Sequence, residues 1–267
     1  MVAAAVGAGN QDTLYLIKTM TTLLNEFAPI TLEQMSSVKL MNRTDTKFVT
    51  NIHKLFQLLE MACQDYYVQE IDGGRNLEYD TTYFDTTQYD MYNQHQWNHT
   101  NRQKIRFRTY CVNGLQFMEV KTKNNHGRTK KKRIEVSDMD ISDETKREFL
   151  GKHLRYSVDT LIPALNNHFS RITLVNKGMT ERLTIDQQLR FHNLVSGTDR
   201  DMGDLVIIEL KRDGLVYSPI LEMLRKLRIQ PHGFSKYCMG SALTNNELRV
   251  NRFKRKLIEV NKLVGTI

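Results

Sequence analysis

One stretch constrains this chain more than any other. From Lys104 to Tyr110 the residues run Lys-Ile-Arg-Phe-Arg-Thr-Tyr, alternating polar and apolar side chains. Successive side chains of a strand point to opposite faces. A strand therefore puts Lys104, Arg106, Arg108 and Tyr110 on one face and Ile105, Phe107 and Thr109 on the other. The two segments that follow, 115–123 and 130–136, read the same way. In the first of them Phe117, Glu119, Lys121 and Lys123 share a face opposite Met118, Val120 and Thr122. Asn113-Gly114 signals a two-residue hairpin turn before it.

More strands are expected at 41–49, 67–71, 77–85, 171–176, 180–191 and 204–212. Their parity groups Arg43, Asp45 and Lys47, then Arg182, Thr184 and Asp186, then Glu209 and Lys211. Helical spacing places Leu14, Ile17, Thr21, Leu24 and Phe27 on one stripe within 11–27. Thr50 is expected to cap a helix carrying Ile52, Leu55, Phe56, Leu59 and Ala62. Ser142 is expected to start another, to about residue 153. Residues 159–169 read as helical, with Pro163 shortening the regular part. Ser218-Pro219 opens a helix with Ile220, Met223, Leu224 and Leu227 inward. Thr244-Asn245-Asn246-Glu247 reads as a capping box for a final helix bearing Val250, Phe253, Leu257 and Val260. The expected class is α+β. A single domain covers 11–267, including a helical C-terminal segment at about 218–264, and residues 1–10 form a flexible leader.

Charged faces on antiparallel strands are ordinarily solvated. Here five strands carry a basic residue on the polar face, and four of the five also carry an acidic one. Enough amphipathic helices exist to cover the apolar faces. If they do, a closed antiparallel β-barrel of about eight strands turns its charges inward as a tunnel, wide enough for one ligand. Arg and Lys can line such an interior only if water or an anion fills it. A polyphosphate chain has the matching shape and sign, and the few carboxylates suit bridging divalent cations. The net charge of +8 favours anionic partners in general.

Other classes are set aside. No window approaches the roughly 18 apolar residues of a membrane span. Cys63, Cys111 and Cys238 are odd in number and form no ligand spacing, which suits reduced thiols in a cytoplasmic protein and no structural zinc. His95 and His99 lack a third ligand nearby. Aromatic and basic residues do not interleave as in single-strand binders, so nucleic acid is not expected, and Trp97 reads as packing. Lys130-Lys131-Lys132-Arg133 reads as a solvated hairpin end. The last helix, with Arg249, Arg252, Lys254, Arg255, Lys256 and Lys262, reads either as a solvated face or as a dock for a membrane surface or membrane partner, which would place the protein at the inner face of the membrane.

Seven segments together resemble a known family. They are Arg43-Thr-Asp-Thr-Lys47-Phe48, Tyr83-Phe-Asp-Thr86, Lys104-Ile-Arg-Phe-Arg-Thr-Tyr110, Glu119-Val-Lys-Thr-Lys123, Glu181-Arg-Leu-Thr-Ile-Asp186, Ile208-Glu-Leu-Lys211 and Phe234-Ser-Lys-Tyr237. In this order they resemble the VTC domain, named for the vacuolar transporter chaperone complex, among the triphosphate tunnel metalloenzymes. The resemblance implies a polyphosphate polymerase that moves the γ-phosphoryl of ATP onto inorganic polyphosphate and releases ADP. A tunnel-type triphosphatase and a non-catalytic polyphosphate-binding module remain the alternatives. It implies phosphate contacts from Lys47, Arg106, Arg108, Lys121, Lys123, Arg182 and Lys236, with Lys211 beside a metal ligand, Glu209. Glu119 is a second candidate ligand for Mn²⁺ or Mg²⁺, and Arg43, Arg133 and Tyr110 are further substrate contacts. Some eukaryotic members carry a lysine where Gly233 stands here, so one cationic contact is either missing or supplied elsewhere, with His232 a candidate. With no phosphoinositide-sensing domain expected in residues 1–40, the chain looks like a stand-alone bacterial version.

Overall fold

The computed structural model describes residues 15, 16, 18–35, 43–214 and 216–265. The expected leader, with Leu14 and Ile17, lies outside the described residues. The elements in chain order are α1 (18–25), β1 (Ala28–Ile30), α2 (Leu32–Met35), β2 (Arg43–Asn51), α3 (Ile52–Ala62), β3 (Tyr66–Gln69), β4 (Leu77–Thr86), α4 (Asp90–Gln96), β5 (Arg102–Tyr110), β6 (Gln116–Lys123) and β7 (Thr129–Val136). Then come α5 (Glu144–His153), β8 (Leu161–Asn176), β9 (Glu181–Asn193), β10 (Asp199–Asp201), β11 (Leu205–Asp213), α6 (Pro219–Lys226), α7 (Lys236–Thr244) and α8 (Lys254–Val264). The class is α+β, and the sheet is antiparallel apart from the parallel pair β1 and β3.

Eight strands hydrogen-bond in the order β2-β11-β9-β8-β4-β5-β6-β7. Among the described residues hydrogen bonds do not close the sheet into the expected barrel, and β2 and β7 end the path. Five consecutive residues of β7, Thr129 to Arg133, are exposed. Four of them are cations, a common way of protecting a sheet edge from further pairing.

The chain forms two compact units. The first comprises Met1–Asn76, Ile172–Ile185 and Val206–Gly233. Its core joins Leu55, Leu58 and Leu59 of α3 with Ile172, Leu174, Leu183, Ile185, Ile208 and Leu210 of the strands and Ile220 and Leu224 of α6. Within each strand these members share one parity, so Arg182, Glu209 and Lys211 fall on the opposite face of their own strands, as the alternation requires. Each fully buried leucine contributes about 2 kcal/mol by leaving water. Asn51, not Thr50, caps α3: its side chain accepts from Lys54 N–H at 3.1 Å. Thr50 is buried within β2, which runs straight into the helix.

The second unit comprises Leu77–Arg171, Asp186–Leu205 and Phe234–Ile267. Ile105, Phe107, Met118 and Val120 bury the apolar face of β5 and β6 against Phe84, Met91, Leu161 and, from α5, Phe149 and Leu150. Asp143 rather than Ser142 caps α5, accepting from Lys146 N–H at 3.0 Å. The β5–β6 loop is wider than a two-residue turn. Gly114, at φ +70°, donates to Tyr110 O at 2.8 Å, and Tyr110 donates to Leu115 O, which leaves four residues in the loop.

Two helical expectations fail. Residues 161–169 belong to β8, paired with β4 over ten positions. Leu161, Leu165 and Phe169 recur at a helical interval, but the ladder decides the conformation. Pro163 is accommodated where the register shifts between Tyr83 and Phe84, since a bulge spares the missing N–H. Thr244 does not open the last helix. It ends α7, donating to Gly240 O at 2.7 Å and accepting from Asn193 at 3.0 Å. The last helix starts ten residues later. Gly240 lets α7 lie close to its neighbours: a Cβ there would stand 2.6 Å from Phe191 Cδ1 and 2.7 Å from Leu165 Cδ2. No helix among the described residues is long and apolar enough to cross a membrane.

Candidate anion-binding site

The polar face of β5 is covered, not solvated. Arg106 is 9% exposed and Arg108 is 6% exposed. Register places Arg106 between Tyr83 of β4 and Glu119 of β6, and Arg108 between Thr81 and Phe117. Arg106 donates through Nε to Glu119 Oε2 at 2.6 Å, and its Nη2 lies 2.5 Å from the same oxygen. Lys131 Nζ lies 3.1 Å from Glu119 Oε1. Glu119 is 1% exposed. Burial alone would raise its pKa, but Arg106, Lys121, Arg108 and Lys131 hold it well below the usual carboxylate range. Arg106 lies above its ordinary value: burial works against its charge, and Glu119 and Tyr83 more than offset that.

Arg108 has no carboxylate partner among the described residues. Its Nε donates to Thr81 Oγ1 at 3.1 Å. Its guanidinium carbon sits 5.5 Å from the Tyr79 ring centroid and 5.6 Å from that of Phe169. Burial first, then Arg106 and Arg171, push its pKa down from 12.5 to about 10.

A second ion cluster adjoins the same rings. Arg171 grips Asp186 with two bonds, Nε to Oδ1 at 2.5 Å and Nη2 to Oδ2 at 2.8 Å. Lys236, the first residue of α7, donates to Asp186 Oδ2 at 2.6 Å, and its Nζ lies 2.9 Å from the Phe169 centroid. Burial would raise the Asp186 pKa, yet Arg171 and Lys236 hold it far below the usual range. Lys236 lies below its ordinary value, because burial and the neighbouring Arg171 and Arg108 cost the ammonium more than Asp186 returns. Among the described residues Arg106, Arg108, Arg171 and Lys236 stand around Glu119 and Asp186, more cations than carboxylates in a largely covered setting. Such an excess calls for an anion.

The remaining cations of this face are wetter. Lys104, Lys121 and Lys131 stand opposite one another across β5, β6 and β7, an arrangement of like charges that costs stability. Lys104 donates to Ser235 Oγ at 2.8 Å. Lys123 is half-buried, opposite Arg102 and Thr129. Arg133 lies 4.5 Å over the Phe117 ring, and Tyr110 packs at 5.0 Å on Tyr79.

In the first unit Glu209 Oε2 lies 3.0 Å from Lys47 Nζ and 3.2 Å from Lys211 Nζ. Arg182 is half-buried, and the side chain of Arg43 lies outside the described residues. His232 N–H donates to Lys47 O at 2.7 Å, fixing the loop after α6 to β2.

The two expected metal ligands differ. Both Glu119 oxygens are committed, Oε2 to Arg106 and Oε1 to Lys131, and the carboxylate is buried, so a metal cation would have to displace the guanidinium or the ammonium. Glu209 is more open, at 22% side-chain exposure. Mg²⁺ and Mn²⁺ commonly take one or two carboxylates and complete their shell with substrate phosphates and water. Glu209 fits that role. Among the described residues no group of three His, Cys, Asp or Glu could hold a metal alone.

Reading parity from sequence missed Arg171 and gave Asp186 no role. Phe169, Arg171 and Thr173 share a face of one strand, but a helix assigned to 159–169 cut that strand in two. Trp97 is corrected as well: it is 55% exposed, not packed.

No curated protein matches the chain. Solved structures with partial overlap include a proposed adenylate cyclase from Bacillus halodurans, 14% identical over 80% of this chain and 99% of its own, with a TM-score of 0.48. Another is a proposed adenylyl cyclase from Hippeastrum, described as having a dominant triphosphatase activity, 13% identical over 76% of this chain and 97% of its own, with a TM-score of 0.45. A proposed adenylate cyclase from Vibrio parahaemolyticus is 11% identical over 75% and 99%, with a TM-score of 0.45. The VTC domain model matches residues 42–245, a span that contains every segment from Lys47 to Tyr237 discussed above, and on that match the chain belongs to the VTC domain family.

Proposed function

We propose that this protein is a polyphosphate polymerase, transferring the γ-phosphoryl of ATP to the end of an inorganic polyphosphate chain. One observation carries the reading: Arg106 and Arg108 are both buried on one strand face, and among the described residues Arg108 has no carboxylate partner to balance it. A phosphoanhydride supplies closely spaced negative oxygens that a guanidinium fork and an ammonium can both meet. Membership of the VTC domain family supports the same class of substrate.

Phosphoryl transfer asks the protein for positioning and charge stabilisation. A terminal oxygen of the acceptor chain forms a bond to Pγ, the bond between Pγ and the β,γ-bridging oxygen breaks, and that oxygen leaves on ADP. No protein nucleophile is needed. Arg106 and Arg108 hold equatorial oxygens from a fixed strand, Arg106 kept rigid by Glu119. Lys236 is poised by Asp186 and exchanges part of that contact for phosphate. In the first unit Glu209, with Lys47 at 3.0 Å and Lys211 at 3.2 Å, is the carboxylate that would hold Mn²⁺ or Mg²⁺, an ion that would supply charge screening when bound.

The test is to incubate the protein with ATP and Mn²⁺ and separate the products on a gel. A polyphosphate ladder with matching ADP is expected. Free phosphate released from triphosphate, with no ladder, would make it a hydrolase. Neither product would leave a binding module.

A further inference from the structure

Trp97 terminates α4 and stays in solvent because the chain turns away at Asn98, at φ +61°. Its indole lines an open pocket of about 500 Å³ with Gln96, Asn251 and Arg252. The walls are fixed. Tyr92 and His95 pack on Phe253 at 5.6 and 5.8 Å, and Tyr92 Oη donates to Arg249 O at 3.0 Å. With its amide oriented to satisfy its neighbours, Gln96 Oε1 accepts from Asn251 N–H at 3.2 Å and Arg252 N–H at 3.1 Å. The segment before α8 is thereby clamped to the end of α4, with Trp97 and the Arg252 side chain exposed beside each other.

The surroundings are cationic and adjoin the anion site. His95, two residues before Trp97, has its Nδ1 3.0 Å from Cys238 Sγ, in the first turn of the helix that Lys236 begins. Burial, followed by Lys104, Arg102, Lys256 and Lys123, drives His95 down to about 2. It stays neutral, with Lys104, Arg102, Lys256 and Lys123 as its charged neighbours. Lys104 in turn reaches Ser235, the cap of that helix. The helix end that carries the exposed indole is thus tied, through His95 and Cys238, to the helix that Lys236 begins, and Arg252 is the cation that lines the pocket itself.

We propose that this pocket is a nucleobase platform, in which the purine of ATP stacks on the Trp97 indole while its phosphates extend toward Lys104 and Lys236. The inference rests on ATP being the phosphoryl donor and adds where its base is held. Every base has a face to stack, and an aromatic plate is the usual means of holding one. The Asn251 amide at the rim suits the polar edge of a base and offers nothing to an acyl chain, which sets a nucleotide above an anionic lipid surface as occupant.

The chain has a single tryptophan, so intrinsic fluorescence reports this pocket alone. ATP should quench it in a saturable way, and inorganic triphosphate should quench it far less although it fills the anion site. By calorimetry Trp97→Ala should weaken ATP binding about 5- to 100-fold and leave triphosphate binding unchanged, with Trp97→Phe close to wild type. Equal quenching by triphosphate, or unchanged ATP affinity in Trp97→Ala, overturns the proposal, as does a response confined to vesicles of anionic lipid. Base-specific quenching without any polyphosphate ladder would keep the platform and discard the polymerase.

Discussion

Replacing Arg108 by methionine separates binding from stability. The fall of its pKa from 12.5 to about 10 corresponds to about 3 kcal/mol held against the charged side chain in the ligand-free fold. Methionine of similar length removes that penalty. It also gives up the bond to Thr81 Oγ1, worth about 1 kcal/mol, and the ring contacts with Tyr79 and Phe169, worth about 1 kcal/mol. The ligand-free variant should therefore be as stable as wild type or up to about 1 kcal/mol more stable, which is 2–4 °C in Tm for a protein of this size. Thermal unfolding with and without inorganic triphosphate reads both sides. Wild type should gain several degrees from the ligand, and Arg108→Met should lose most of that gain. A variant that is more than about 2 kcal/mol less stable without ligand, yet keeps the full ligand-induced rise, would refute the idea that Arg108 is an uncompensated charge awaiting an anion.

Three further outcomes follow. Lys236→Ala should lower polyphosphate synthesis by about 10²- to 10³-fold, with unchanged circular dichroism, and near-normal turnover would remove this cluster from the site. Arg106→Ala is a poorer probe, because it strands Glu119 and should cost about 3–5 kcal/mol in denaturant titrations. Glu119 and Asp186 have depressed pKa values, so the stability they add is fully present above their unfolded values near 4 and is lost as pH falls below them. Glu119→Gln and Asp186→Asn should flatten the acid limb of the stability profile, and an acid limb identical to wild type would contradict the ion pairs. Gly240→Ala should destabilise by about 1–3 kcal/mol through its clash with Phe191 and Leu165, and an unshifted denaturation midpoint would show that α7 can move aside.

Much of this arrangement is legible in sequence because strand parity is a local rule. The alternation at 104–110 places Arg106 and Arg108 opposite Ile105 and Phe107, and the structure buries both sets. What parity cannot supply is the environment of the polar face. That Arg108 is covered and Glu119 committed depends on which strands lie alongside, a long-range fact. Leu161 to Phe169 carries apolar residues at helical intervals, and only the ladder with β4 makes it a strand. Losing that strand hid Arg171, which shares its face with Phe169. Thr244-Asn245-Asn246-Glu247 has the residue types of a helix start, but the chain uses Thr244 to close α7 on Gly240 and Asn193. Sheet closure was inferred from charge, which says nothing of which strands pair, and among the described residues β2 and β7 end the hydrogen-bonded path. Trp97 lacked any sequence cue, because its exposure follows from the turn at Asn98.

A crystal structure of the protein with inorganic triphosphate bound addresses the central claim most directly. Phosphate oxygens should lie within hydrogen-bond distance of Arg106, Arg108 and Lys236, with Arg171 and Asp186 still paired beside them. Triphosphate found elsewhere on the surface, with those three side chains unchanged and still turned to one another, would contradict the account.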